Sequence, residues 1–298
     1  MDRAYDARPV IYGEALFDCF PDGKTVLGGA PFNVAWNLQA FGLRPLFISR
    51  VGDDALGQQI RGAMQDWGMD LIGLQTDPEH PTGTVRIRIE GGEPSFDILP
   101  DQAYDYIDSR LLPKLEAASL LYHGSLILRA PTSAQTLQTL RADSGLPVFL
   151  DVNLRAPWWD QETVHSSMRG ARWIKLNEDE LHTLVPGNHS PHHKARELQC
   201  KTQTEWIIVT RGRRGAIVYA ANGQVEEIKP AENVKVVDSV GAGDAFASVM
   251  ITGLLRDWPL ALSLERAQAF ASAIVGQRGA TTRDPDFYRF FVEEWDLA

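Results

Sequence analysis

Residues 236–246 read VVDSVGAGDAF: a short apolar run, an acid, a turn of small residues, a second acid, and an apolar segment of helical character. Packing alone does not ask for two acids and two glycines where a strand hands over to a helix. If a helix begins near Gly241, its first backbone N–H groups lack intrahelical partners and lie at the positive end of the helix dipole. Gly241 and Gly243 remove side chains that would stand between those amides and an oxyanion, so Gly241, Ala242 and Gly243 form a candidate anion hole. Asp244 adds a like charge there, which suits removal of a proton from a bound alcohol. Amides around a moving phosphoryl group and a carboxylate for the acceptor's proton are the parts that phosphoryl transfer to a hydroxyl needs. The same residues also read as helix-start acids and turn glycines. The spacing is neither a Walker A loop nor a GxGxxG dinucleotide fingerprint.

Outward from that stretch, apolar runs alternate with helical periodicities. Extended segments are expected at 9–20 (broken at Gly13), 45–52, 118–124, 147–153, 172–176 and 205–212. Helices are expected at 28–42, where Pro31 can start one and Gly42 stop it, and at 55–68, 131–142, 160–169, 177–184 and part of 190–200. Near-continuous apolar strands separated by helices predict a mostly parallel sheet covered on both faces. GAIVYA and GQVEEIKP after 215 read as an antiparallel pair at one edge, and helices near 242–256, 261–276 and 286–295 close the chain. The rhythm breaks at 82–98, where TGTVRIRIEGGEPSFDI alternates through Val85, Arg86, Ile87, Arg88 and Ile89, turns at Gly91–Gly92 and runs on extended. The expected fold is an α/β three-layer sandwich over 1–298, with a central mostly parallel sheet and a small β-sheet lid drawn from about 14–26 and 82–98.

The composition excludes several classes. With 298 residues and 44% hydrophobic content the chain can bury one large core. A net charge of −10 disfavours non-specific binding to nucleic acid or an anionic membrane, while leaving room for a local anion site. Cys19 and Cys200 have no paired spacing, so neither a disulfide scaffold nor a four-ligand zinc site is expected. MDRAYDARPV has no long apolar stretch and no window approaches the roughly 18 apolar residues of a membrane span, so a cytoplasmic protein is expected.

Other polar clusters add candidates. In NEDEL, Asn177 and Glu180 reproduce a capping box; the functional alternative is that they organise hydrated magnesium and phosphate at a strand end, with Lys175 either supplying positive charge or standing as an exposed strand-end lysine. In DVNLR, Asp151, Asn153 and Arg155 alternate and would share one face of an extended segment, a candidate pocket wall. Asp18, Gly28, Gly29 and Asn33 combine carboxylate, carboxamide and backbone access suited to vicinal hydroxyls. Arg86 and Arg88 are either a solvated hairpin face or ligand clamps. His189, His192 and His193 lie in a loop-like stretch with no further ligands to complete a metal site.

Six segments together resemble one known family: GGAPFNVAWNLQAFG at 28–42, VGDDALG at 51–57, DVNLR at 151–155, NEDE at 177–180, TRGRRGA at 210–216 and DSVGAGDAF at 238–246. In this order they resemble the ribokinase-like, or PfkB, carbohydrate kinases over nearly the whole chain. The resemblance implies ATP-dependent phosphorylation of a sugar hydroxymethyl group by a large α/β domain with a small β lid. It implies Asp244 as general base, the amides of Gly241 to Asp244 as anion hole, and Asp18, Gly29 and Asn33 on the sugar hydroxyls. It puts Asn177 and Glu180 in the Mg2+–phosphate region, through water, and Thr210, Gly212 and Gly215 on the nucleotide side, with adenine near Gly279 and Ala280. K+ is implied as a monovalent activator. DVNLR and WIKLNEDEL resemble fructokinase-like members, which implies conversion of D-fructose to fructose 6-phosphate; a sugar acid such as 2-keto-3-deoxygluconate, ribose or a nucleoside are alternative acceptors. A noncatalytic sugar-binding regulator is a reading of another class. Ser239 stands where Thr is usual, and Pro94 where fructokinase-like lids commonly carry Arg. An exposed lid sheet predicts a homodimer through its edges.

Overall fold

A computed structural model describes residues 8–90, 93–231 and 236–297; the expected Gly91–Gly92 turn and the first seven residues of MDRAYDARPV lie outside the described residues. The chain enters as β1 (Arg8–Tyr12), passes Glu14, and forms the antiparallel pair β2 (Leu16–Cys19) and β3 (Thr25–Gly28). Helix α1 (Ala30–Ala40) has Pro31 in its first turn, where a missing N–H is harmless. It is followed by β4 (Leu46–Gly52), α2 (Ala55–Asp66) and β5 (Leu74–Asp77). Asp54 caps α2 by accepting the Gly57 amide at 2.7 Å, and the same carboxylate accepts the Thr82 amide at 2.8 Å. It thereby fastens the root of the hairpin β6 (Gly83–Glu90) and β7 (Glu93–Ile98) to α2.

The α/β alternation then resumes through β8 (Ala118–Gly124), α3 (Pro131–Ser144), β9 (Val148–Asp151), α4 (Gln161–Met168) and β10 (Trp173–Asn177). Next come α5 (Glu178–Leu184), α6 (Pro191–Thr202), β11 (Trp206–Thr210), β12 (Ala216–Ala220) and β13 (Val225–Ile228). Helices α7 (Ala242–Leu255), α8 (Leu260–Ile274) and α9 (Pro285–Glu294) close the chain.

Among the described residues, nine strands form the main sheet in the order β13-β12-β11-β10-β9-β8-β1-β4-β5. All neighbours from β11 to β5 run parallel, and β12 and β13 run antiparallel at one edge, as the two short apolar runs after 215 predict. The chain builds outward from β1 to β4 and β5, then returns to β8 on the other side, so the connections reverse between β1 and β8. Open α/β sheets bind ligands in the crevice beyond the carboxyl ends of strands at such a reversal.

Alternation along each strand feeds two cores. Ile11 of β1 joins α1, α2, α7, α8 and α9 on one face, whereas Val10 and Tyr12 join α3, α4, α5 and α6 on the other. Helix α7 is buried from Ala245 through Gly253, which follows from its place between the sheet, α1 and α8. Two expectations fail locally. β5 escapes the sequence because Gln75 and Thr76 interrupt its four residues. The extended run expected over 147–153 ends at Asp151, and Asn153 has a φ of +39°, so Asp151, Asn153 and Arg155 do not share a strand face.

The smaller sheet has the order β3-β2-β6-β7. Residues opposite one another across strands share a face. Asp18 opposes Val85, which opposes Ile98, while Cys19 opposes Arg86, which opposes Asp97. Arg86 and Arg88 therefore lie on the face away from Asp18. They sit 3.9 Å and 3.3 Å from Asp97 Oδ2, each more than half exposed, and this register excludes them from the side of the sheet that carries Asp18.

Candidate active site

Helix α7 begins where the sequence requires a glycine. Gly241, its N-cap, has a φ of +81°, and a Cβ there would collide with Ala280 Cα. The loop before it is strapped to the segment after α8: the Val237 amide donates to Val275 O at 2.8 Å, and Asp238 accepts the Val240 and Gly279 amides, each at 3.0 Å. No side chain caps Gly241, so the amides of Gly243 and Asp244 in the first turn have no intrahelical partner.

A cation underlies these amides. A Cβ on Gly243 would come within 3.3 Å of Lys175 Nζ. Lys175 is buried and donates to both oxygens of Asp151 at 2.9 and 2.8 Å, its direct partner in the β9–β10 register. Dipole, free amides and ammonium converge on one half-buried spot, an arrangement that stabilises a phosphoryl group.

Asp244 occupies the third position of α7. Its Oδ2 accepts Asn33 Nδ2 at 2.8 Å, bringing α1 and α7 together. Burial, opposed by the hydrogen bond from Asn33, pushes its carboxyl up to about 6. Gly28 separates the next two groups: a Cβ there would lie 4.0 Å from both Asn33 Oδ1 and Asp18 Oδ2. Gly29, with a φ of +105°, lets the β3–α1 turn press on the backbone of Glu14, since a Cβ would meet Glu14 O at 2.6 Å. Asp18 is also pushed up to about 6 by burial, against the pull of Arg155. Asp18, Gly28, Gly29, Asn33 and Asp244 thus converge. Arg155 joins them from the loop beyond β9, exposed, its charge acting on Asp18, Glu14 and Asp244. Among the described residues, Asn153 lends its carbonyl to Ser125 Oγ at 3.4 Å.

Asn177 and Glu180 form a complete capping box. Glu180 accepts the Leu154 amide at 2.7 Å and the Asn177 amide at 2.8 Å, so both carboxylate oxygens are engaged and the loop carrying Arg155 is tied to α5. Burial raises its carboxyl. Such a pair fits a hydrated magnesium ion held through its waters, and not direct ligation. No cluster of three His, Cys, Asp or Glu suited to a metal occurs among the described residues, His189, His192 and His193 included. Asn177 opposes Thr210 at the ends of β10 and β11. Beyond them, Gly212 and Gly215 shape a tight turn in which the Arg211 amide donates to Gly215 O at 2.7 Å, and a Cβ on Gly215 would strike Ile228 O. Gly279 and buried Ala280 close the opposite wall against Gly241.

Sequence reasoning missed Glu14, Tyr104 and Arg129. Glu14 is 3% exposed, and burial pushes its carboxyl up to about 7. A lone acid at a strand break carries no signal of this kind. A separate cavity of about 610 Å3 between α3 and α4 is lined by none of these groups.

The model of the pfkB family carbohydrate kinases matches residues 17–286. A fructokinase of Klebsiella pneumoniae is 30% identical over 295 residues, covering 92% of this chain and 95% of the relative. The crystal structure of fructokinase from Vibrio cholerae O395 with fructose, ADP and calcium ion superposes with a TM-score of 0.82 at 28% identity, covering 96% and 99% of the two chains. A double mutant of that protein holds fructose, ADP and potassium ion. Aminoimidazole riboside kinase from Salmonella enterica, complexed with aminoimidazole riboside and an ATP analogue, also gives a TM-score of 0.82, at 26% identity over 96% and 99% of the two chains. No helix among the described residues is long and apolar enough to cross a membrane.

Proposed function

The chain belongs to the pfkB family of carbohydrate kinases, and from that premise we propose that it phosphorylates the hydroxymethyl group of D-fructose, giving fructose 6-phosphate. It has the ribokinase-like α/β fold and is an ATP-dependent kinase of a small carbohydrate. The observation that supports the mechanism is the pairing of a raised carboxylate with free helix-start amides above a buried ammonium. Asn33 engages Oδ2 of Asp244, which leaves Oδ1 for the acceptor hydroxyl. Asp244 takes that proton as the oxygen attacks the terminal phosphorus of ATP, the bond to the bridging oxygen breaks and ADP leaves with its electron pair. The amides of Gly243 and Asp244, with Lys175, stabilise the charge on the transferring group, while the Ala242 amide donates to Ser239 O at 3.4 Å.

Asp18, Gly29, Asn33 and Arg155 orient the sugar. Thr210, Gly212, Gly215, Gly279 and Ala280 form the nucleotide side. Asn177 and Glu180 would hold magnesium through water, and the ion would supply charge neutralisation at the phosphates. Potassium serves as an activator, by analogy with the ion in the Vibrio cholerae double mutant. The smaller sheet acts as a lid that excludes water, and its two open edge strands, β3 and β7, suit pairing with a second copy. A cytoplasmic location fits a substrate pair of ATP and a free sugar.

Coupled ADP release with Mg-ATP across fructose, glucose, ribose, 2-keto-3-deoxygluconate and adenosine tests the reading. Fructose is expected to give the highest kcat/KM. A higher value for ribose or adenosine would favour the riboside reading, supported by the equal superposition on the riboside kinase. Sugar-induced stabilisation without ADP release from any acceptor would make the chain a regulator.

A further inference from the structure

Two side chains that the catalytic reading leaves unused arise just beyond the two strands flanking the reversal of the sheet. Glu14 follows β1 and Arg129 follows β8, and Tyr104 lies between the smaller sheet and that crevice, its ring where a Cβ on Gly83 would be 2.7 Å away. All three are buried; the Tyr104 hydroxyl has Arg129 as a hydrogen-bonding neighbour, and Glu14 Oε2 keeps no hydrogen-bond partner among the described residues. Buried polar atoms are nearly always paired, so an unpaired carboxylate oxygen within electrostatic reach of the Tyr104–Arg129 pair calls for an occupant.

We propose that Glu14, Tyr104 and Arg129 form the far wall of the sugar site, hydrogen-bonding hydroxyls remote from the reacting oxygen and selecting an uncharged polyol over an acceptor that carries a carboxylate. This rests on the kinase reading above and names the chemical class of its acceptor.

The three groups act on one another. Arg129 lies 5.0 Å from the Tyr104 ring centroid and 4.7 Å from that of Trp158. The charge of Arg129 lowers the Glu14 carboxyl, as does that of Arg155, while Asp244 raises it, so Glu14 stands within reach of both the catalytic carboxylate and the guanidinium. Charge bookkeeping then decides the class. Arg129 is neutralised by Asp105, donating to its two oxygens at 2.8 and 2.7 Å, and Lys175 by Asp151. Of the cations acting on Glu14, Asp18 and Asp244, Arg129 and Lys175 are thus already paired, which leaves Arg155 against three carboxyl groups. An acceptor carboxylate would meet uncompensated like charge. A hydroxyl finds donors in Arg129 and Tyr104, and in Glu14 a group that donates or accepts near neutrality.

Tyr104→Phe removes one hydroxyl, and Glu14→Gln keeps the shape of the acid. Kinetics on fructose and on 2-keto-3-deoxygluconate, with melting curves as a folding control, are the test. The wild type is expected to favour fructose by at least about 100-fold in kcat/KM. Each variant is expected to raise the fructose KM by about 3- to 10-fold with kcat within about twofold and the ATP KM unchanged. Glu14→Gln is also expected to narrow the preference for the neutral acceptor by about tenfold. Folded variants with wild-type fructose KM and unchanged preference would reduce the cluster to a holder of ordered water and overturn the proposal. A wild type that prefers the sugar acid would overturn it while leaving the kinase reading standing. Failure of every acceptor to release ADP would remove the kinase reading; fructose-induced stabilisation that Tyr104→Phe weakens would still support the wall, and stabilisation it leaves intact would overturn it.

Discussion

Replacing Asp244 with Asn separates two consequences of one burial. In the folded chain the carboxyl is pushed from 3.8 to about 6, by burial first, with the Asn33 hydrogen bond opposing. The native state thus binds this proton more tightly than the unfolded chain does, so its contribution to stability is present below about pH 4 and lost as pH rises through about 6. A rise of that size corresponds to about 3 kcal/mol, and solvent at the half-buried side chain reduces this to roughly 1–3 kcal/mol of destabilisation at neutral pH. Asn keeps the shape and an oxygen for Asn33 without the charge. The variant is therefore expected to melt a few degrees above the wild type at pH 7.5. Its turnover should fall by about 100-fold or more, because no base remains for the acceptor proton. Thermal melts and coupled ADP release on the same preparation read both effects. Wild-type-like turnover would refute the role as base, and a lower melting temperature would refute the claim that the ionised carboxylate strains the fold.

Three further outcomes are expected. Since Glu14, Asp18 and Asp244 are all raised, to about 7, 6 and 6, melts should show higher stability near pH 5 than near pH 8, while kcat/KM falls below about pH 6 as Asp244 is protonated; parallel rise or fall of both would contradict the assignment. Lys175→Met leaves Asp151, 1% exposed, without its cation and should destabilise the fold by about 3–5 kcal/mol; adding Asp151→Asn should restore stability on denaturant unfolding but not turnover. Asp238→Ala frees the Val240 and Gly279 amides and should raise the ATP KM several-fold with the sugar KM unchanged; equal effects on both ligands in steady-state kinetics would deny it a place on the nucleotide side.

Much of the fold is legible because buried parallel strands are written as apolar runs and their helices as periodic ones. Trp173–Asn177 and Trp206–Thr210 stand out for this reason, whereas Leu74–Asp77, a short edge strand with Gln75 and Thr76 in it, does not. The turn at Gly241 is legible because only glycine tolerates its backbone and the approach of Ala280. What the sequence hides is register. Lys175 and Asp151 are adjacent only because β9 and β10 align, and Arg86 and Arg88 leave the Asp18 side only because of how β2 aligns with β6. The alternation in DVNLR misleads because a positive φ at Asn153 ends the strand. Glu14 and Arg129 come within electrostatic reach through the order of strands, which no local pattern carries.

The central claim is spatial, and a crystal structure with fructose and a nonhydrolysable ATP analogue tests it most directly. The expected result has the hydroxymethyl oxygen within hydrogen-bonding distance of the Asp244 carboxylate, and the terminal phosphoryl group against the amides of Gly243 and Asp244. An acceptor bound away from Asp244, or a phosphoryl group seated elsewhere with both ligands fully bound, would contradict it.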